Sequence, residues 1–311
     1  MILKLAGAAL LILSSAAYAD DAGNSSNTPK LGKDVFGYFD LHAGLVSGFD
    51  IFTNYGTPED EFRWQNSKIG GAARIAFDID RDFSLQSDAW ANKSGSWASI
   101  TMRGAALHAT FDPTGRDQFG PLASIGGEDD VDFAAHKLTR LYETNFGLEW
   151  AHNADKWRFY AQVGYASNID GMVYIEGWDP QWWHIPISNP YAAVVGTYYF
   201  TPDLAFSAKL AVNKFMTPGP NWANNNFEVR WGAKLEYRPP SSPVIGYVAY
   251  TGRSETFDDK IPAGDDGYGG HGIETIVVAG FRIPFGEGTI QSLYKDVGLA
   301  DLNPAFGDSS Y

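Results

Sequence analysis

The stretch NFEVRWGAKLEYR, residues 226–238, alternates strictly between two classes of side chain. Apolar side chains occupy one set of alternate positions: Phe227, Val229, Trp231, Ala233, Leu235 and Tyr237. Charged side chains occupy the other set: Glu228, Arg230, Lys234 and Glu236. Because successive side chains of a strand point to opposite faces, this period of two predicts an extended strand. Its length suits either a soluble sheet or a tilted transmembrane strand, which needs about 9–11 residues.

The N-terminal residues predict export from the cytoplasm. Residues 1–19 have the three parts of a secretory signal peptide: a positive charge at Lys4, an apolar run over 5–13 and the small-residue cleavage site Ala17-Tyr18-Ala19. The apolar run is too short to span a membrane, and no other stretch reaches about 18 uninterrupted apolar residues. An α-helical membrane protein is therefore excluded, and we expect residues 20–34 to form a periplasmic N-terminal segment.

Composition narrows the function classes further. The formal net charge is −14, which argues against a nucleic-acid partner because phosphate binding needs a basic surface. The chain has no cysteine, so disulfides, thiolate metal sites and cysteine nucleophiles are excluded. Aromatic residues make up 15% of the chain, with 10 Trp and 16 Tyr, and such amphipathic rings are typical of membrane interfaces.

The two-residue alternation recurs along the chain. It predicts about twelve strands, within a range of ten to fourteen, at residues 35–47, 68–78, 83–92, 99–111, 118–126, 138–150, 157–165, 191–200, 204–213, 226–238, 244–251 and 273–285. The facing of 191–200 is ambiguous. Short turns such as 79–82 and 201–203 connect strands whose other ends meet long connections such as 49–65 and 168–189, so short turns collect at one end of the sheet. This asymmetry is typical of bacterial outer-membrane barrels.

Aromatic residues flank the short turns on the outward-facing positions. They are Phe77, Phe83, Phe111, Phe119, Trp150, Trp157, Phe200 and Phe206, with Tyr237 and Phe285 on later strands. A soluble sheet gives no reason for rings to collect at one end of every hairpin. They predict an aromatic belt at one membrane interface.

On these features, residues 35–285 resemble the Gram-negative outer-membrane β-barrel proteins, as a porin-like chain. The last strand, 273–285, looks like the terminal strand with a closing phenylalanine that the barrel-assembly machinery reads. The resemblance implies an all-β, transmembrane antiparallel up-and-down barrel in the outer membrane, with outer-membrane lipid, lipopolysaccharide and the assembly machinery as partners. The chain departs from many porins after Phe285, and we expect residues 286–311 to be a periplasmic tail. Disorder is the expectation for such a terminus, and docking in the periplasm or against the cell wall is the alternative.

The predicted inward face carries balanced charge. The pore-lining candidates are the basic residues Lys68, Arg74, Arg158, Lys209, Arg230, Lys234 and Arg282, the acidic residues Asp40, Asp88, Glu143, Glu149, Glu228, Glu236 and Glu274, and His42. One interpretation is a water-filled channel whose charges select solutes. The other is ion pairing that fills the lumen, as in barrels of about eight strands, whereas about 16–18 strands leave an aqueous pore.

The predicted outer loops hold two further groups of residues. Acidic residues form a rim that disfavours anions and could loosely bind Ca²⁺ or Mg²⁺, without EF-hand spacing: Glu59, Asp60, Glu61, Glu128, Asp129, Asp130, Asp132, Asp170, Glu176, Asp179, Glu255, Asp258, Asp259, Asp265 and Asp266. The connection 168–189 carries the loop-binding candidates Tyr174, Trp178, Trp182, Trp183 and His184. Those rings could constrict the pore, bind a sugar-like or aromatic solute, form an interfacial girdle or pack on each other as a lid.

No residue pattern predicts catalysis. Asp40 and His42 share an inward face, but a hydrolase also needs a nucleophile or an activated water, and no G-x-S-x-G elbow or zinc-ligand spacing occurs. We therefore predict no catalytic residue, no cofactor and a porin that passes small hydrophilic solutes, with mild cation preference. The alternatives are an outer-membrane enzyme acting on lipid A, phospholipid or peptide, and a plugged structural or adhesive barrel.

Overall fold

The computed structural model describes residues 35–54, 60–79, 82–95, 98–132, 137–175, 179–215, 223–224, 226–260, 268–285 and 289–296. These residues form thirteen strands and one short helix. The strands are β1 (Val35–Asn54), β2 (Asp60–Asp78), β3 (Phe83–Ser94), β4 (Ala98–Phe111), β5 (Asp117–Asp132), β6 (Lys137–Asn153), β7 (Trp157–Ile175), β8 (Gln181–Thr201), β9 (Leu204–Phe215), β10 (Ala223–Asn224), β11 (Asn226–Tyr237), β12 (Ile245–Lys260) and β13 (Tyr268–Phe285). The helix is α1 (Ile290–Asp296).

Twelve of the strands close into one antiparallel barrel. Each pairs with its neighbour along the chain, and β9 pairs directly with β11 because the two-residue β10 lies alongside β12 only. The barrel closes where β13 pairs with β1, in a register that runs from Gly37 opposite Phe285 to Asn54 opposite Tyr268. Every long strand therefore has two partners, which leaves no backbone edge unpaired in hydrocarbon. The predicted twelve-stranded antiparallel barrel is confirmed.

The barrel is apolar outside and charged inside. On β11, Phe227, Leu235 and Tyr237 are 45–49% exposed, whereas Glu228 and Glu236 on the alternate positions are at most 1% exposed. Water would penalise that exterior, while lipid would favour it. This inversion of a soluble protein's pattern identifies the barrel wall as a transmembrane surface.

We expect an arginine at the middle of this surface to destabilise the barrel. Leu210 is exposed on β9, opposite Val194 and Trp231, half-way between the strand ends. Leu210→Arg should cost about 2–4 kcal/mol of unfolding free energy, the usual penalty for a cation at the bilayer midplane. Urea unfolding from lipid vesicles, followed by tryptophan fluorescence, measures it. Phe206→Arg on the same strand, beside the turn, is the control: a cost near zero to about 1 kcal/mol is expected, and equal costs for both would contradict the assigned depth.

The short turns lie at one end of the barrel, surrounded by an exposed band of aromatic rings. The turns fall at residues 79–82, 112–116, 154–156, 202–203 and 238–244, each joining consecutive long strands. Gly115 lies at φ 71°, a backbone conformation that a glycine adopts without strain. The exposed rings are Phe77, Phe111, Phe119, Trp150, Trp157, Phe200, Phe206 and Tyr237. Phe83 and Phe285 are half-buried at the same level. The structure thus places the predicted belt at the turn end.

The strands at the other end are longer than the sequence pattern predicts. β1 continues to Asn54, β2 begins at Asp60, and β7 and β8 meet across a short gap between Ile175 and Gln181. The predicted long connections 49–65 and 168–189 are therefore mostly strand. A membrane crossing takes about 9–11 residues, so strands of 19–21 residues project beyond the bilayer. The alternation fades there because water, not lipid, surrounds the outer face.

The segment after the barrel is helical where it is described, which corrects the expected disorder for residues 290–296. Thr289 and Ser292 cap the helix reciprocally: each hydroxyl oxygen accepts a hydrogen bond from the other residue's backbone N–H, at 3.2 and 2.7 Å. Ile290 is fully buried against Tyr199, Ala205 and Ile245. The helix therefore packs on the turn end of the barrel.

Two other expectations concern the chain outside the barrel wall. Among the described residues, no helix is long and apolar enough to cross a membrane. The signal peptide at 1–19 and the N-terminal segment at 20–34 lie outside the described residues, and the periplasmic location of both termini stays a prediction.

Candidate functional site in the barrel lumen

Nearly all of the predicted pore-lining side chains are buried in the barrel. The buried ones are Asp40, His42, Lys68, Arg74, Asp88, Glu143, Glu149, Arg158, Lys209, Glu228, Arg230, Lys234, Glu236 and Arg282, all at most 8% exposed. Glu274 is the exception, with its side chain 21% exposed. Strand alternation places these residues inward, and their burial means that neighbouring side chains fill the lumen around them. Whether they line a conducting path stays a prediction.

One ion-pair network, here called the floor network, lies near the turn end on β1, β11, β12 and β13. Arg282 bridges two carboxylates, with Nη2 at 3.2 Å from Asp40 Oδ2 and Nη1 at 3.0 Å from Glu236 Oε1. Lys234 Nζ lies 3.1 Å from the same Glu236 oxygen, and the Tyr247 hydroxyl donates to Asp40 Oδ1 at 2.7 Å. The network therefore ties the last strand to the first one.

Helix α1 completes the floor network with one side chain. The Tyr294 hydroxyl donates to Glu236 Oε2 at 2.5 Å and accepts from Lys234 Nζ at 2.8 Å and from Arg282 Nη1 at 3.2 Å. Burial, together with the nearby Glu236 carboxylate, raises the pKa of Tyr294 well above its ordinary value, so the hydroxyl keeps its proton. Tyr294 is not among the residues that the sequence pattern predicts for the lumen. The apolar spacing of Ile290, Leu293 and Tyr294 could have suggested a short amphipathic helix, but not its docking site.

A second network crosses the opposite wall, on β2 to β7. Arg74 pairs bidentately with Asp88, through Nε–Oδ1 at 2.7 Å and Nη2–Oδ2 at 2.8 Å. His108 lies between two carboxylates, with Nε2 at 3.0 Å from Asp88 Oδ2 and Nδ1 at 2.8 Å from Glu149 Oε2. The Tyr160 hydroxyl donates to the other Glu149 oxygen at 2.6 Å. Bidentate and charge-assisted bonds of this kind hold side chains in one geometry.

The histidine partners argue against a hydrolytic site in the described lumen. Both ring nitrogens of His108 contact carboxylates, and those of His42 contact Asp40 Oδ1 at 3.1 Å and Asn92 Oδ1 at 2.8 Å. A general base needs a ring nitrogen directed at a nucleophile or a water. Neither histidine has one directed at a serine or threonine hydroxyl.

The outer half of the lumen holds one tight ion pair and two looser ones. Arg230 pairs with Glu228 on its own strand, through Nε–Oε1 at 2.5 Å and Nη2–Oε2 at 3.1 Å. Arg253 approaches Glu228 at 3.6 Å and Glu274 at 3.8 Å, and its side chain is 34% exposed. Glu143, on the opposite wall, interacts electrostatically with Arg230 and Glu228. The outer half of the lumen therefore also carries residues of both charges, and its Arg230–Glu228 pair is as short as those near the turn end.

Two of the aromatic loop candidates, Tyr174 and Trp182, lie on the outer face of projecting strands. Tyr174 lies in β7 opposite Leu138, on the face of β6 that also carries the lipid-facing Phe146 and Leu148. Trp182 lies in β8 opposite Met172 and is 71% exposed. The loop assignment is wrong for both, because they sit on projecting strands whose outer face they share. Trp183 and His184 also belong to β8, and Trp178 lies outside the described residues.

The acidic clusters do not assemble into a metal site within the described part of the chain. No group of three or more histidines or carboxylates is arranged there to hold a metal ion. Asp129, one member of the predicted rim, instead pairs with Arg103 at 2.8 Å. Loose Ca²⁺ or Mg²⁺ binding stays a prediction.

Comparison with known proteins finds likeness only among solved structures. No family model matches the chain, and no curated protein matches it. The translocator domain of the autotransporter NalP from Neisseria meningitidis is 11% identical, with a TM-score of 0.47, over 91% of this chain and 97% of that one. A Pseudomonas aeruginosa FadL homologue is 12% identical, with a TM-score of 0.43, over 81% of this chain and 90% of that one. The KdgM porin in complex with oligogalacturonate is 11% identical, with a TM-score of 0.40, over 78% of this chain and 99% of that one.

The architecture itself assigns the structural class. The barrel is closed through β13 and β1, its wall is apolar toward lipid, and its turn end carries the aromatic belt. These three features together satisfy the requirements for spanning a membrane with strands. The chain is a transmembrane β-barrel protein of the outer-membrane type.

Proposed function

We propose that this barrel is an outer-membrane channel for the passive transport of small hydrophilic solutes, and that the structure is its closed state. The observation that carries the proposal is the chemistry of the lumen, which is filled by charged and polar side chains in ion pairs. An apolar filling would be dry and stable. Buried charged side chains, in contrast, can replace their ion-pair partners by water at a small net cost, because the desolvation penalty offsets most of the attraction between the partners.

Helix α1 is the proposed moving part. It has seven residues, and it is held by the Tyr294 hydrogen bonds, by the packing of Ile290, and by two Gln291 contacts at the turns. The Gln291 backbone N–H donates to Pro202 O at 3.0 Å, and its side-chain amide donates to Asp155 O. Withdrawal of so short an element would remove Tyr294 from the floor network without disturbing any strand.

A mild cation preference follows from the charge distribution. The chain carries a formal net charge of −14, whereas the predicted pore-lining set is balanced between basic and acidic residues. The excess carboxylates therefore lie elsewhere, many of them in the acidic stretches toward the projecting strand ends. Such a mouth should concentrate cations by an amount that falls as salt screens it.

The test is conductance of the purified protein in a planar lipid bilayer. We expect discrete steps, and a reversal potential in a KCl gradient on the cation-selective side. A shift toward anion selectivity would contradict the cation preference alone. Bilayers that stay silent through several preparations of correctly folded protein would contradict the channel.

A plugged structural or adhesive barrel is the second candidate. The observation that favours it is the burial of the charged lumen residues, which in this state leaves them almost no contact with solvent. This candidate predicts silent bilayers for the intact chain and for every variant of α1.

The proposed surroundings are outer-membrane lipid, lipopolysaccharide and the barrel-assembly machinery. Support for the last comes from Phe285, which ends β13 and pairs with Gly37 across the closing seam. Its ring lies 5.7 Å from that of Phe39. A terminal aromatic residue placed at the seam is positioned to guide the last pairing step.

A further inference from the structure

Two cationic side chains lie on the outer face of the barrel wall, on β3 and β4. Lys93 is exposed, and the Arg103 side chain is 29% exposed. Strand alternation places Arg103 on the face that carries Leu107, which is 66% exposed toward lipid. The chain as a whole is acidic, with a formal net charge of −14, and barrels avoid charge on the lipid face except near the membrane interfaces. A pair of cations there indicates an anionic partner.

The strand register brings the two cations together. Lys93 on β3 lies opposite Thr101 on β4, and Arg103 is two positions from Thr101 on the same face. Diagonal neighbours of this kind are about 7–8 Å apart, so their long side chains reach a common point. Ser67 on β2 is exposed on the same face, diagonally across from Lys93. Two cations and two hydroxyls are therefore neighbours on three adjacent strands.

The distance from the aromatic belt places this group at the other membrane interface. Lys93 is ten residues beyond Phe83 on β3, and Arg103 is eight residues from Phe111 on β4. With a rise of about 3.3 Å per residue and a tilt of about 40°, the two cations lie roughly 25 and 20 Å from the belt. The apolar band of such barrels is about 25 Å tall. Both side chains therefore reach the headgroup level of the leaflet opposite the turn end.

A carboxylate on the next strand fixes the direction of Arg103. Asp129 on β5 lies opposite Thr101, and its Oδ2 is 2.8 Å from Nη2 of Arg103. A guanidinium carries five N–H donors in a planar fork, so it can hold Asp129 and a second oxyanion together. Because Lys93 adds another charge, the group of Lys93, Arg103 and Asp129 is positive in sum.

The wall is low directly below the cations. The outward positions there are small: Ala89 and Ala91 on β3 and Ala105 on β4. The flanking strands carry larger side chains, Ile69 on β2 and Ile125 on β5, which are 63% and 52% exposed. The result is a shallow depression that ends toward the turns at Leu107. It gives the first part of an acyl chain a place to lie against the wall under its headgroup.

We propose that Lys93, Arg103, Thr101 and Ser67 bind a phosphate group of lipopolysaccharide in the outer leaflet. Arginine and lysine form charge-assisted hydrogen bonds with phosphate, which are stronger than neutral ones. The two hydroxyls match the sugar to which that phosphate is attached, and the depression matches the acyl chains. A phosphorylated, acylated sugar offers all three features. The inference goes beyond the channel and rests only on the membrane orientation of the barrel.

The test is a titration of the full-length protein in detergent with deep-rough lipopolysaccharide, followed by native mass spectrometry. EDTA is present so that divalent cations do not bridge phosphate to carboxylates. We expect saturable binding, with an affinity about tenfold lower in Lys93→Ala and in Arg103→Ala. Binding should weaken as salt rises, and enzymatic removal of the lipid phosphates should weaken it as well.

Lys214→Ala is the matched control. Lys214 is an exposed cation on β9, ten residues from the start of that strand at Leu204, but the residue opposite it on β11 is Phe227. This variant should bind lipopolysaccharide as the wild type does. Heat-modifiable migration in gels shows that each variant has folded.

Four results would overturn the site: no saturable binding, an equal loss of affinity in Lys214→Ala, binding that ignores removal of the phosphates, and equal affinity for phosphatidylglycerol. The last result would mean that the cations attract any anionic lipid. Silent bilayers would overturn the channel and leave this site standing, whereas conducting bilayers without lipopolysaccharide binding would do the reverse.

Discussion

Ending the chain at Phe285 should convert a mostly closed barrel into a conducting one. This truncation removes α1, and with it the Tyr294 hydroxyl that bonds to Glu236, Lys234 and Arg282 and the buried side chain of Ile290. The barrel itself keeps all twelve long strands and its terminal phenylalanine. We expect at least a tenfold rise in the frequency or the size of conductance steps in planar bilayers.

A chain ending at Asp296 is the matched control for this truncation. It lacks residues 297–311 but keeps α1 and its contacts with the floor network. Its conductance should equal that of the intact chain. Equal conductance of the two truncated chains would show that α1 does not close the lumen, and silence in both would favour the plugged structural barrel.

Arg282→Ala should be the most destabilising single substitution in the lumen. It leaves Asp40 and Glu236 buried without their shared cation, which lies 3.2 and 3.0 Å from them. Removal of one partner from a buried pair typically costs about 3–5 kcal/mol. Urea unfolding of the protein in lipid vesicles measures the change.

Two further variants separate an ion-pair effect from a general one. Arg253→Ala removes a cation that is one-third exposed and 3.6 Å from Glu228, so its cost should stay below about 1 kcal/mol. The double variant Arg282→Met with Glu236→Gln should recover part of the stability, because it removes charge from both sides. If Arg282→Ala lowers the free energy of unfolding no more than Arg253→Ala does, the buried ion pairs of the floor network do not stabilise the barrel as proposed.

Much of the fold is predictable from the alternation of apolar and polar residues, because each outward-facing residue of a membrane strand contacts lipid and must therefore be apolar. Residues 226–238 illustrate this: the apolar face predicted from sequence is the lipid face, and the charged face is the lumen. The alternation disappears where the strands leave the lipid, because outward-facing residues there need not be apolar. The outer ends of β7 and β8 leave the bilayer, so their alternation weakens and the sequence pattern predicts a connection there.

The sequence predicts which residues face the lumen, but not which of them pair with each other. Inward charges such as Arg282 and Asp40 were recognised singly, yet their pairing joins residues far apart in sequence and depends on where the barrel closes. The facing of 191–200 is ambiguous because its buried face carries Tyr191, Ala193 and Val195, which resemble lipid-facing residues.

The floor network can form only when β13 pairs with β1, which is the last step of barrel assembly. Asp40 is on the first strand, Glu236 on the eleventh and Arg282 on the last, with Tyr294 following it. During insertion, a chain whose last strand has not paired holds Asp40 inside without the Arg282 guanidinium, while Glu236 keeps Lys234 alone as a cationic partner. Completion of the barrel and neutralisation of its interior are therefore one event, and a truncated translation product would be marked by an internal negative charge that a finished molecule never shows.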